Sequence, residues 1–271
     1  MTATSDRFAG RTVIVTGSSS GIGRGIAERF AAEGANVVLN SRSREDLEKV
    51  AKGLHEDRTL IVEGSVSDKE FARELVEKTV ERFGGLDVLC NNAGVAASGS
   101  LAKASDADID SVIAINVKGV LYMCRAAIPH LAKSEAPGGG AIVNTSSVSG
   151  IGGDWTMPIY NASKGAVSNL TRALALQLGH KGVRVNAVLP SVTRSEMTDG
   201  ITENDALMAA FMNRLPLGRV AEPDDIAGPV LFLASEDARF VTGVNLPVDG
   251  GVSASNGQPN FRAARESQAS P

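Results

Sequence analysis

Tyr160 and Lys164 stand four residues apart in Tyr160-Asn161-Ala162-Ser163-Lys164. On a helix, residues at that spacing share a face. An ammonium beside a phenol stabilises the phenolate, which predicts a phenol pKa below its reference of ~10. A tyrosine tuned in this way can give and take a proton near neutrality. Far upstream, Thr16-Gly17-Ser18-Ser19-Ser20-Gly21-Ile22-Gly23 follows the β-rich run Thr12-Val13-Ile14-Val15. Gly17, Gly21 and Gly23 allow a tight turn and a close approach of backbone to a pyrophosphate. Free N–H groups at a helix start favour the anion, and Ser18, Ser19 and Ser20 add hydroxyl donors. A dinucleotide turn together with a proton-exchanging tyrosine points to hydride transfer coupled to proton transfer.

These groups need a frame, and the chain reads as one. Short apolar runs alternate with longer helical patterns. Strands are expected at Thr12 to Val15, Asn36 to Asn40, Thr59 to Val62, Leu86 to Cys90, Gly140 to Thr145, Val183 to Val188 and Val244 to Val248. Helices are expected from Gly23 to Glu33, Arg44 to Leu54, Asp68 to Phe83, Asp106 to about Lys133, and across Tyr160 to about His180. Strands apolar along their length and separated by helices imply a parallel sheet covered on both faces. Right-handed crossovers then give an α/β, Rossmann-like, doubly wound sheet of seven strands. No internal repeat or linker divides it. One catalytic domain is expected over residues 1–252, followed by a polar tail, 253–271, that reads as disordered. Phe261, Arg262 and Arg265 offer the alternative of docking on a neighbouring subunit. Residues 191–219 lack a strand and are rich in Met, Thr, Glu and Asn, which predicts a mobile lid over the substrate.

Composition removes other classes. The 271 residues carry a net charge of −4, and 43% are hydrophobic. That balance argues against a nucleic acid partner and against a polybasic membrane contact. No run was expected to reach the ~18 apolar residues of a membrane span. The N-terminus has no apolar core of a secretory signal. Cys90 and Cys124 lack metal-ligand spacing and read as buried small hydrophobes, so no metal site is expected. A reduced, cytoplasmic setting fits. His55, His130 and His180 are not expected to be catalytic.

The spacing Gly-x-x-x-Gly-x-Gly, with Tyr160-x-x-x-Lys164 downstream, resembles the short-chain dehydrogenase/reductase family across about residues 8–252. Further motifs follow in the family's order: Asn91-Asn92-Ala93-Gly94, Asn116 in Ile115-Asn116-Val117, Ser147 thirteen residues before Tyr160, Pro190, Arg219-x-x-x-Pro223 and Val248-Asp249-Gly250-Gly251. The resemblance implies a catalytic set of Asn116, Ser147, Tyr160 and Lys164. Tyr160 is then the acid or base, Ser147 holds the reacting oxygen, and Lys164 holds the nicotinamide ribose. Asn116 anchors a water that passes protons to solvent. It also implies a homotetramer or homodimer built on the helices that begin near Asp106 and Met157.

Cofactor contacts are expected from Gly17, Ser19, Ser20, Gly21, Ile22, Gly23, Ser41, Arg42, Val66, Asn92, Ala93, Gly94, Tyr160, Lys164, Pro190, Thr193 and Ser195. A carboxylate after the second strand would take a free 2′-hydroxyl. Ser41 stands there instead, and Arg42 beside it suits a phosphate, so NADP is favoured over NAD. Ser65 stands where the family commonly has an aspartate that contacts adenine. Ser191 replaces the family's glycine after Pro190, and Ser195 its threonine. A substrate wall is expected from Ser147, Ile151, Trp155, Met157, Tyr160, Met197, Met208 and Phe211, with Met212 beside them in the lid. The expected activity is reversible hydride transfer between NADP(H) and a ketone or secondary alcohol. Alternatives are a 3-oxoacyl-carrier-protein reductase and an NAD-linked polyol, sugar or hydroxysteroid dehydrogenase. A cofactor-binding scaffold without turnover is a remote one.

Overall fold

The computed structural model describes residues 6–261. Seven strands form one all-parallel sheet in the order β3-β2-β1-β4-β5-β6-β7. They are β1 (Thr12–Thr16), β2 (Asn36–Ser41), β3 (Thr59–Glu63), β4 (Val88–Asn91), β5 (Gly140–Thr145), β6 (Val183–Pro190) and β7 (Asn245–Val248). The helices are α1 (Gly21–Ala32), α2 (Arg44–Ala51), α3 (Lys69–Phe83), α4 (Asp106–Ile113), α5 (Val120–Leu131), α6 (Pro158–Leu178), α7 (Asp199–Thr202), α8 (Asp205–Met212) and α9 (Pro223–Ala234).

The sequence accounts for these boundaries. Ser43, Asp68 and Ser105 accept from the first-turn amides of α2, α3 and α4, and Pro158 opens α6 where a missing N–H costs nothing. Gly84, at φ +83°, ends α3. Both faces of the sheet are covered. Ile26, Phe30, Ile226 and Val230, from α1 and α9, pack with Leu47 on Val13, Val15 and Val37. Leu75, Met123, Val167 and Leu174, from α3, α5 and α6, pack on Ile14, Leu89 and Ile142. All eight residues of β6 are buried, as a strand covered on both faces requires.

The strand order reverses between β1 and β4. In such sheets a crevice opens there, at the carboxyl ends of the strands. Every expected strand is present, with no end shifted by more than two residues. Residues 191–219 hold α7 and α8 and no strand.

Two expectations need correction. The helix expected from Asp106 to about Lys133 is interrupted. Ala114–Gly119 forms a π-helical stretch between α4 and α5, and it carries Asn116. A wider turn there lets a poor helix former aim its side chain sideways. Also, the composite helix Asp106–Leu131 is long and apolar enough to cross a membrane, with a window of mean hydropathy 1.4. Its inner residues, Val112, Val120, Met123, Cys124 and Ala127, are core.

Candidate active site

A cleft of about 460 Å³ lies at the strand-order reversal. Its floor begins with the glycine turn. Gly17 and Gly21 take φ +66° and +50°. A Cβ on Gly17 would lie 2.8 Å from Ala93 Cα, and one on Gly23 only 2.1 Å from Gly17 O. Glycine is therefore required for the turn to fold tightly against the end of β4. Thr16 Oγ1 accepts from the amides of Asn92 and Ala93 at 3.0 Å each, and Asn92 Nδ2 donates to the carbonyls of Thr16 and Gly17. These bonds join the turn to Asn92-Ala93-Gly94.

The reacting side of the cleft is built by β5 and α6. Tyr160 and Lys164 lie on α6, as the spacing predicts, with Lys164 Nζ 5.6 Å from the Tyr160 ring centroid. Lys164 is buried and donates to Thr145 O at 2.8 Å. Ser147 leaves the end of β5 and caps a 3₁₀ turn, Val148–Gly150, by accepting from Ser149 N. Its neighbour Ser146 turns away, bonding Lys164 O and Ser168 Oγ. The pair therefore divides as spacing predicts, with Ser147 beside Tyr160.

The expected lowering of the Tyr160 pKa is not found. Burial pushes the phenol up to about 12; the Ser147 hydroxyl pulls it down, and the Asp154 charge pushes it up. Burial also takes Lys164 down to about 8. The ammonium lies against the ring face and binds a carbonyl, so desolvation outweighs its pull on the phenol oxygen. Tyr160 therefore keeps its proton at neutral pH.

Asn116 stands one layer behind. Its side chain bonds both N and O of Val95 at 2.8 Å and donates to Ser163 Oγ at 3.0 Å. A Cβ on Gly94 would lie 3.4 Å from Asn116 Oδ1 and 3.5 Å from Lys164 Nζ, so both groups pack directly behind the cleft-lining Gly94.

Of the residues expected at the cofactor, Gly17, Ser19, Ser20, Gly21, Ile22, Ser41, Arg42, Val66, Asn92, Ala93, Gly94, Tyr160, Lys164, Pro190, Thr193 and Ser195 line this cleft. Gly23 lies beneath it, against Gly17. Of the expected substrate wall, Ser147, Tyr160 and Met197 line the cleft. Ile151 and Trp155 are exposed outside it, and Met157 is half-buried without lining it. Met208 and Met212 border a separate shallow depression with Arg194 and Arg219, and Phe211 packs towards Val192, Leu215 and Val220. Arg262 and Arg265 lie outside the described residues, whereas Phe261 is exposed.

The sequence reading passed over several residues. Thr16 and Thr145 bind the turn and Lys164. Asn40 donates to Val62 O and Gly64 O, holding the wall under Ser65 and Val66. Asp46 borders the cleft at the Arg42 end. Its place on the first turn of α2, one turn beyond Ser43, was the available signal.

The residues present fit a dinucleotide. Two cradles that any Cβ would fill sit beside the N-terminus of α1, where free amides favour a pyrophosphate. The fold and this cleft define a dinucleotide-binding oxidoreductase frame. Residues 17–253 match the family model described as enoyl-(acyl carrier protein) reductase. The chain is 45% identical to meso-2,3-butanediol dehydrogenase of Serratia marcescens over 94% of this chain and 99% of that one. It is 38% identical to a 3-oxoacyl-acyl-carrier-protein reductase of Thermotoga maritima over 91% and 99%. A crystal structure of a short-chain dehydrogenase/reductase, glucose/ribitol dehydrogenase, from Brucella melitensis superposes with a TM-score of 0.85 at 37% identity, covering 91% and 98%. The chain belongs to the short-chain dehydrogenase/reductase family. It is an oxidoreductase of the alcohol/ketone couple that uses a nicotinamide dinucleotide.

Proposed function

We propose that the protein transfers hydride reversibly between NADP(H) and a small ketone or secondary alcohol, with Tyr160 as acid and base. The observation that carries this reading is Tyr160 beside Ser147 and Lys164 in one cleft with the glycine turn. The nicotinamide, when bound, supplies or takes the hydride. Gly17 to Ile22 hold the pyrophosphate, and Asn92, Ala93, Gly94, Pro190, Thr193 and Ser195 flank the rest of the dinucleotide. Val66 packs on adenine. Tyr160 donates its proton to the carbonyl oxygen, Ser147 fixes that oxygen, and Lys164 holds the ribose hydroxyls. Asn116 keeps a path for protons behind Lys164. The reductive direction is part of the proposal because Arg42 suits NADP, whose pool is kept reduced.

Ser41 and Arg42 at the far end of the cleft support NADP: the first carries no charge to repel a 2′-phosphate, and the second can pair with one. A second reading, NAD, rests on Asp46 at the same end, a carboxylate able to accept from a free 2′-hydroxyl. Turnover of NADPH against NADH, in wild type and Arg42→Ala, decides between them. An unchanged preference removes Arg42 as the selector. The 45% identical relative makes a vicinal diol or its hydroxyketone the first substrate to assay, ahead of acyl thioesters, sugars and cyclic ketones.

One catalytic domain over residues 1–252, the tail 253–271 and a cytoplasmic setting complete the proposal. Assembly as a dimer or tetramer through the helices that begin near Asp106 and Met157 belongs to the same proposal and rests on the family resemblance. Sedimentation measures the assembly directly.

A further inference from the structure

Beyond the Ser–Tyr–Lys set lies a side-chain chain that the proposed mechanism does not use. Ser147 Oγ donates to Ser149 Oγ at 3.0 Å, and Ser149 Oγ donates to Asp154 Oδ2 at 2.5 Å. Asn161, next to Tyr160, clamps the same loop by donating to Ser149 O at 2.9 Å and Gly152 O at 2.8 Å. Ser147 and Ser149 are buried, whereas Asp154 is exposed and does not line the cleft.

A carboxylate only accepts. Asp154 therefore takes the single hydroxyl proton of Ser149, which leaves Ser149 lone pairs to accept the single proton of Ser147 at 3.0 Å, nearer than its other acceptor, Pro190 O at 3.5 Å. We propose that Asp154 is a positioning residue for the reaction, acting through Ser149 to direct the Ser147 proton away from the cleft. This rests on the reading of Tyr160 as the acid and base. Two consequences follow. Ser147 offers a lone pair to a hydroxyl in the cleft, from an alcohol or from Tyr160, and donates to a carbonyl only once released from Ser149. Of the charged groups around Tyr160, Lys164 lies over the ring on the same helix, Arg42, Asp46 and Glu196 line the cleft, and Asp154 is the one whose field raises the phenol.

The chain has two tyrosines, so tyrosine labelled with ¹³C at Cζ gives two resonances, and Tyr160→Phe assigns them. The Cζ shift reads the tyrosinate fraction without substrate. At a fixed alkaline pH and low salt, Asp154→Asn is expected to raise the Tyr160 tyrosinate fraction about 2- to 4-fold over wild type. Ser149→Ala, which frees the Ser147 proton for the phenolate but keeps the charge, should give a smaller rise, and Asp154→Glu none. Because Asp154 is exposed, 1 M salt should shrink the Asp154→Asn effect. Wild-type titration in both Asp154→Asn and Ser149→Ala overturns the inference. If Asp154→Asn melts early, Ser149→Ala alone must exceed wild type or the inference falls. Turnover surviving in Tyr160→Phe sinks the underlying reading instead, so the two failures are told apart.

Discussion

The floor and the roof of the cleft are built on opposite terms. The floor, from β4, β5 and α6, is buried, and its polar groups bind one another. Asn91 Nδ2 donates to Asn144 Oδ1 and Asn144 Nδ2 to Thr171 Oγ1, both at 2.9 Å, tying two strands to α6 two turns beyond Lys164. Ser146 adds bonds to Lys164 O and Ser168. The roof, residues 191–219, has no buried side chain from Arg194 to Arg214, and α7 and α8 bury none. It comes close to the glycine turn, where a Cβ on Gly21 would lie 2.9 Å from Ser195 Cβ. The difference teaches where each task is kept. Proton transfer needs sub-ångström placement, so its groups sit where packing over-determines them. Substrate choice and release need movement, and a segment with few buried contacts supplies it.

The largest expected effect tests the floor. Tyr160→Phe removes one oxygen from a site whose shape is otherwise fixed. Turnover should fall by about 10³-fold, within the range for losing a general acid. Dinucleotide affinity, measured by calorimetry, should stay within about twofold, because the other cofactor-lining residues are untouched. A large loss of affinity with turnover retained would invert the division of labour between turn and tyrosine.

A buried floor also has a pH signature. Lys164 titrates near 8 in the folded protein, against 10.5 for the ordinary side chain. Between those values the unfolded chain binds more protons than the folded one, so stability rises with pH across that window. Complete relief amounts to about 3 kcal/mol. Tyr160 has the opposite sign. With its folded pKa raised to about 12 from 10, it contributes stability that is lost as pH climbs through that interval. Burial also holds the Cys90 and Cys124 thiols above their ordinary 9.0, so from about pH 9 they add a fall that outweighs the Lys164 rise, and urea unfolding from pH 7 to 11 should show a maximum near pH 9. In Lys164→Met the rise from about pH 8 should vanish, leaving only the alkaline fall. No roof variant should alter this curve.

Legibility divided along the same line. The sheet was readable because each strand is apolar throughout and each glycine turn is local. Tyr160 with Lys164 was readable because a helix fixes their spacing, whereas Ser147 was readable only through its place in the family's order of motifs. The Tyr160 pKa was not, since its sign depends on burial and on where the ammonium points, and neither is local. Asp154 was invisible for the same reason: the Ser147–Ser149–Asp154 chain depends on how a loop folds back. The substrate wall was least legible. Trp155 and Ile151 flank the tyrosine in sequence yet stand exposed, and Met208 and Phe211 turn to other surfaces. Amphipathic loop residues have no period that would say which way they face.

The smallest effect on the fold should come from the roof, and it sharpens the comparison most. Met197 lines the cleft but remains 54% exposed. Met197→Ala should change unfolding free energy by no more than about 0.5 kcal/mol, as for a surface substitution. It should raise KM for an apolar ketone about 3- to 10-fold while kcat changes less, because it removes packing common to ground and transition states. Asn144→Ala on the floor should do the reverse, costing about 2 kcal/mol by leaving one Asn91 N–H without its acceptor, while Thr171 loses an incoming donor but still donates to Val167 O. If Met197→Ala melted the protein as strongly as Asn144→Ala, the roof would be part of the scaffold. Residues 191–219 would then set substrate choice as a fixed wall rather than as a lid.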